Sequence, residues 1–130
     1  MVKKIPINPV YKKENGLWNL STISLPFPEG FQDKERNIVY IPAGQFGGNH
    51  QHPRAEMFIG VGDELFIAWL DEKGEKREEK MMDNEQLYLF IVEPLTPHVV
   101  VNKAQSFALL VEFADRPNVD VEYVEVLGSS

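Results

Sequence analysis

No stretch of this chain keeps apolar residues at helical spacing for three turns. Nine glycines and nine prolines instead cut it into short runs rich in Val, Ile, Leu, Phe, Tyr and Trp. That punctuation specifies closely spaced strands and excludes a helical core. Residues 18–25 and 37–41 read as the first strands, with turn-rich sequence between them. Residues 55–60 and 64–70 read as one pair split by Gly60, Gly62 and Asp63, and residues 98–102 and 106–114 as another. The run 71–75 reads as a hairpin tip in which Gly74 can take a positive φ. After Gln86, residues 87–92 are continuously apolar, so both faces of that strand should be buried. Residues 119–126 alternate as a half-exposed edge strand. The expected fold is all-β, a double-stranded β-helix or jelly-roll barrel in which closure removes the exposed edges.

With 130 residues the chain suits one domain, spanning 1–130 with a barrel core at about 37–114. Twenty acids against thirteen bases leave a formal charge of −7, so no face is expected to neutralise a nucleic-acid backbone. With no cysteine, disulfides, thiolate zinc sites, iron–sulfur clusters and a thiol nucleophile are all ruled out. Pro6, Asn8 and Pro9 stand where a secretory signal would be apolar, and no run reaches the length of a membrane span. A soluble cytoplasmic protein is the expectation. The charged run 71–85 reads as a solvated hairpin that discourages edge pairing.

The chain has only three histidines, and they fall into one pattern. His50 and His52 lie two apart, so on a strand their side chains share a face, and Glu56 has the same parity if no bulge intervenes. His98 lies far along the chain, where a barrel could bring it alongside as a fourth ligand. Three imidazoles and a carboxylate suit one divalent ion such as Zn, Mn, Fe(II), Co or Ni. The competing reading is a barrel whose histidines only hydrogen-bond.

These residues resemble the cupin motifs. The first cupin motif runs Gly, five residues, His-x-His, three or four residues, Glu, then six residues and Gly. Gly44, His50, His52 and Glu56 match it, while Asp63 stands at the last glycine position and Gly62 one place early. The second runs Gly, five residues, Pro-x-Gly, two residues, His, three residues, Asn. His98 and Asn102 match its end, with Leu95 in place of the second glycine and Pro94 displaced by one. The resemblance covers about residues 37–114 and implies a jelly-roll barrel with a metal inside. The run 48–52 is similar to small cupins of cell-surface carbohydrate synthesis, some of them sugar-nucleotide isomerases and epimerases. Residues 52–55 are similar to germins, which bind manganese and oxidise oxalate.

The chemistry this implies is divalent-metal work on a sugar or small oxygenated compound. An ion on vicinal oxygens of a keto-sugar would stabilise an enediolate, as an isomerase or epimerase step needs. Iron- or manganese-dependent dioxygenase or oxidase chemistry, and non-enzymatic binding of a metal or small molecule, remain the alternatives, so whether the chain is an enzyme stays open. Tyr40, Gln45, Tyr88 and Glu112 are the candidate bases on strands, and parity does not choose among them. Arg54, two positions after His52, could hold a substrate carboxylate or phosphate. Because Arg36, Arg54, Arg77 and Arg116 are the only arginines, a small ligand fits better than a nucleotide-sugar. Leu95 shapes a turn, so Leu95→Gly should leave metal content unchanged. The two apolar faces of residues 86–92, with Trp18, offer a surface on which a second copy could pack as a homodimer.

Overall fold

A computed structural model describes residues 1–128; Ser129 and Ser130, with which the expected domain ends, lie outside the described residues. Thirteen strands follow in order: β1 (Val2–Ile7), β2 (Tyr11–Lys12), β3 (Trp18–Asn19), β4 (Glu35–Ile41), β5 (Phe46–Gln51), β6 (Glu56–Val61), β7 (Leu65–Leu70), β8 (Lys76–Lys80), β9 (Met82–Asp83), β10 (Gln86–Val92), β11 (His98–Asn102), β12 (Ala108–Ala114) and β13 (Glu122–Tyr123). One sheet runs β1-β10-β6-β12-β4, with β9 added to β10, and the other runs β13-β5-β11-β7-β8; β2 and β3 form a small ribbon. All pairings are antiparallel. Among the described residues no helix is long and apolar enough to cross a membrane.

The expected hairpin at residues 71–75 is present. It joins β7 to β8, with Leu70 opposite Lys76, Gly74 at φ 77°, and the Asp71 carboxylate accepting from the amides of Lys73 and Glu75. The two other expected pairs do not form. β6 pairs with β10 and β12 while β7 pairs with β11 and β8, so these chain neighbours belong to opposite sheets. β11 and β12 are divided in the same way. Consecutive strands step across the barrel here, which period-2 patterning cannot distinguish from a hairpin because either arrangement buries the same alternate residues.

β10 is buried on both faces, as its apolar run requires. Phe90 and Val92 point into the barrel with Phe58, Leu65, Ile67, Met81, Val100 and Leu110. Leu87, Leu89 and Ile91 point outwards, onto Met57, Ile59 and Phe113. Each such fully buried side chain is worth roughly 1.5–3 kcal/mol, so this double-sided strand anchors both layers. The outer layer is covered by Ile5, Trp18, Leu20, Leu25, Phe27 and Phe31 of the same chain. The apolar faces of residues 87–92 are thus covered within the chain, with Trp18 half-buried in the covering layer.

β1 lies along β10 from Val2 opposite Val92 to Ile7 opposite Leu87, a strand the sequence does not announce. Lys3, Lys4 and Pro6 interrupt its apolar pattern, and these are residues that an edge position tolerates and that keep the edge from pairing further. At the other end, the expected strand 119–126 shrinks to Glu122–Tyr123, pairing with Gln51 and His50. Beyond it Asn49 is the main polar anchor: its Oδ1 accepts from the amides of Val126 and Leu127 and its Nδ2 donates to Glu125. Lys76 Nζ also donates to the Leu127 carbonyl, and Val126 packs on Ala68 and Val99.

Candidate metal centre

The site is built on an irregularity. Between β11 and β5, His98 stands opposite His50 but Val99 stands opposite Gly48, so Asn49 is an extra residue that bulges out of the ladder. Gly48 adopts φ 103° and Asn49 φ 68°. A Cβ on Gly48 would lie 3.0 Å from the His98 carbonyl oxygen, so both backbone angle and space call for glycine. The bulge shifts the parity of β5 by one. It turns Asn49 outward towards the C-terminal segment and brings His50 onto the face that His98 shares. His52 follows where β5 ends, and Glu56 opens β6 with its side chain inward, opposite Val92 and Ala114.

The structure brings all four residues together. His50, His52 and His98 each offer a ring nitrogen within 4.8 Å of the others. Glu56 is buried beside them, its Oε1 2.6 Å from His52 Nε2 and 3.0 Å from His98 Nε2. The opposite ring nitrogens are anchored. His98 Nδ1 donates to the Thr96 carbonyl at 2.7 Å, and His52 Nδ1 donates to Asn118 Oδ1 at 2.7 Å. Fixing the proton on Nδ1 leaves Nε2 of both rings to face the common point. No sequence signal marks Thr96 or Asn118 for this role; Asn118 comes from a segment 66 positions beyond His52. The matching asparagine of the second motif, Asn102, is not at the metal end. It closes the far end of β11, with Nδ2 donating to the carbonyls of Ile41, Pro42 and Ser106.

Burial and the two neighbouring imidazoles push His50 down to about 4, so its ring is neutral at neutral pH with the lone pair of one nitrogen available. Burial also pulls His52 down, but the hydrogen bond and charge of Glu56 outweigh it and leave that ring more basic than usual. For Glu56 burial opposes ionisation, yet the hydrogen bonds from His52 and His98 hold the carboxyl well below the ordinary carboxylate range.

Arg54 lies buried in the pocket wall. Nε and Nη2 reach Glu56 Oε2 at 3.1 and 2.8 Å, Nη1 reaches Glu35 at 3.0 Å and the Arg116 carbonyl at 3.2 Å, and Nη2 also reaches Glu112 at 3.3 Å. Asn37 Nδ2 bridges Glu35 and Glu112 at 3.1 and 3.0 Å. The arginine thus ties the carboxylate at the histidines to the two on the neighbouring wall. Of the candidate bases, Glu112 lines the pocket. Tyr40 stacks on Phe107 at the surface, Tyr88 packs beside Phe90 under Lys4, and Gln45 lies outside the pocket lining. Glu35 and Asn37 were not singled out by sequence, because only their pairing with β12 points them inward.

The cavity measures about 200 Å³ and has a floor of Ile41, Phe58, Val100 and Leu110. Two antiparallel sheets closed around a core, with a histidine-lined mouth at one end, form a cupin-like jelly-roll barrel, the fold expected from the motifs. No family profile matches the sequence, and no curated protein matches it. Solved structures do. A dTDP sugar isomerase from Desulfovibrio desulfuricans aligns over 98% of this chain and 85% of its own, with a TM-score of 0.77 at 14% identity. A mutant of the 3,4-ketoisomerase QdtA from Thermoanaerobacterium thermosaccharolyticum, in complex with TDP-4-keto-6-deoxyglucose, aligns over 92% of this chain and 83% of its own, with a TM-score of 0.65 at 15% identity. The capsular polysaccharide assembling protein CapF from Staphylococcus aureus aligns over 74% of this chain with a TM-score of 0.62 at 18% identity, and the match spans only 29% of CapF. At these identities the likeness is one of fold.

Proposed function

We propose that this chain is a divalent-metal cupin that isomerises or epimerises a sugar or a related small oxygenated compound. His50, His52 and His98 hold the ion, and Glu56 completes the set. The observation that carries the reading is the convergence of three imidazole nitrogens, two of them on rings whose Nδ1 proton is anchored elsewhere. A nitrogen-and-carboxylate donor set fits a borderline divalent cation. When bound, such an ion supplies a Lewis acid for a substrate oxygen. The isomerase or epimerase part is supported by the names of the similarly folded proteins.

The chain's own groups cover the rest of the reaction. Ile41, Phe58, Val100 and Leu110 give the substrate a dry floor. Glu112 is the carboxylate suited to move a proton: its Oε1 is fixed by Asn37 and Arg54, and its Oε2 takes no hydrogen bond from the described residues. Elemental analysis of protein purified without added metal, followed by NMR of keto- and aldo-sugars in D₂O, tests the reading. Stoichiometric metal and deuterium appearing next to the substrate carbonyl are expected. A metal-free protein, or oxygen-dependent turnover without exchange, would exclude it.

Two smaller effects follow. Asn118→Ala frees the His52 ring and should weaken metal binding about 10–100-fold while leaving the fold intact, as read by competitive chelator titration. An unchanged affinity would remove Asn118 from the site. Leu95 is exposed and holds φ 62°, a left-handed conformation costing an ordinary L-residue about 1–2 kcal/mol. Leu95→Gly relieves that strain but gains freedom when unfolded, so stability should rise by at most about 1 kcal/mol, with metal content unchanged. Loss of metal in Leu95→Gly would show that the turn positions a ligand.

A further inference from the structure

We infer that the pocket selects an uncharged, hydroxyl-bearing compound no larger than a monosaccharide and turns away phosphorylated and nucleotide-linked sugars. This rests on the proposal that the cavity beside the histidines is the substrate site. It departs from the proteins of similar fold, one of which, QdtA, is solved with TDP-4-keto-6-deoxyglucose and with TDP.

The first ground is the state of Arg54. A guanidinium has five N–H donors, and here four hydrogen bonds engage Glu56, Glu35, Glu112 and the Arg116 carbonyl, while Nη2 also stands 2.8 Å from Glu56 Oε2 as an ion pair. Each of its three nitrogens is already paired, so a phosphate could take the guanidinium only by competing with ion pairs inside a buried network. Arg54 is also the only Lys or Arg among the residues lining the cavity.

The second ground is the charge of the wall. Glu35, Glu56 and Glu112 line the cavity against that one guanidinium. A divalent ion would no more than neutralise the two carboxylates that Arg54 leaves uncompensated, so a diphosphate would enter a site with no net attraction for it and three carboxylates close by. Those same groups suit hydroxyl donors. Glu35 Oε2, Glu112 Oε2 and Asn37 Oδ1 take no hydrogen bond from the described residues, and a sugar hydroxyl can donate to each where a phosphate oxygen cannot. Size is the third ground. About 200 Å³ falls below the roughly 300–1,000 Å³ usual for larger ligands and leaves room for one sugar ring.

Calorimetric titration of the full chain, at measured metal content and low ionic strength, tests this with matched probes. These are glucose and glucose 6-phosphate, fructose and fructose 6-phosphate, and TDP. Saturable binding of a free sugar is expected, with its phosphate at least about tenfold weaker, no binding of TDP, and a loss of sugar affinity in Glu112→Gln. Saturable binding of TDP, a phosphate ester that binds more tightly than its parent sugar, or failure of both free sugars to bind would overturn the inference. The outcomes separate from those of the proposed reaction. Neutral-sugar selectivity without deuterium exchange rejects the isomerase reading alone, and exchange with a TDP-sugar rejects the selectivity alone.

Discussion

His50→Ala yields a folded protein that no longer retains divalent metal. Among the described residues the His50 ring makes no hydrogen bond; it only packs against His52 and His98, with ring centroids at 4.8 and 5.1 Å. Its removal therefore costs the fold little, while the site loses one of three converging nitrogens. Metal affinity should fall by more than the roughly 10–100-fold that loss of an outer partner costs. His98→Ala should lose metal equally but with a stability penalty, because His98 Nδ1 bonds the Thr96 carbonyl inside the barrel and Nε2 faces Glu56. Elemental analysis and a thermal melt on each variant separate the two effects. Full metal occupancy in His50→Ala would end the ligand assignment.

The second large effect is on stability. Arg54→Met should cost about 3–5 kcal/mol, read from the urea midpoint at unchanged slope. The reason is Glu56: it is buried and ionised, and Arg54 supplies two of its four close contacts. Removing the guanidinium leaves that charge inside the barrel and also releases Glu112. Arg54→Lys should recover only part of the loss, because an ammonium cannot span carboxylates on three strands as the planar fork does. Adding Glu56→Gln to Arg54→Met should restore stability relative to Arg54→Met alone, since the unpaired charge is then gone. A loss below about 1 kcal/mol in Arg54→Met would mean that water reaches the network and the pairs are screened.

Arg54 also marks a limit of motif reading. Its position two after His52 places it at the pocket, and the structure agrees, but its partners Glu35 and Glu112 come from β4 and β12. Strand patterning shows that such residues alternate; it does not show which strands stand side by side. The same limit explains the two hairpins that do not form and the unannounced β1, whose Pro6 and lysines suit an edge. The gathering of His50, His52, Glu56 and His98 was legible, because the motif fixes residue types and spacing together. The route was not. Even-parity reasoning treats β5 as regular, whereas His50 reaches the shared face only because Asn49 bulges out.

What the chain determines by itself is its class and its donors. Period-2 apolar runs broken by Gly and Pro can bury their faces only as sheets, and a sequence with three histidines and no cysteine can offer a metal imidazole nitrogen and oxygen but no thiolate. Tertiary structure decides which of those donors are free to act. Thr96 and Asn118 fix the ring protons of His98 and His52, and three acids from different strands together with the Arg116 carbonyl engage Arg54. Both are hydrogen-bond and charge contacts between residues far apart in the chain, and such contacts exist only once the barrel has closed.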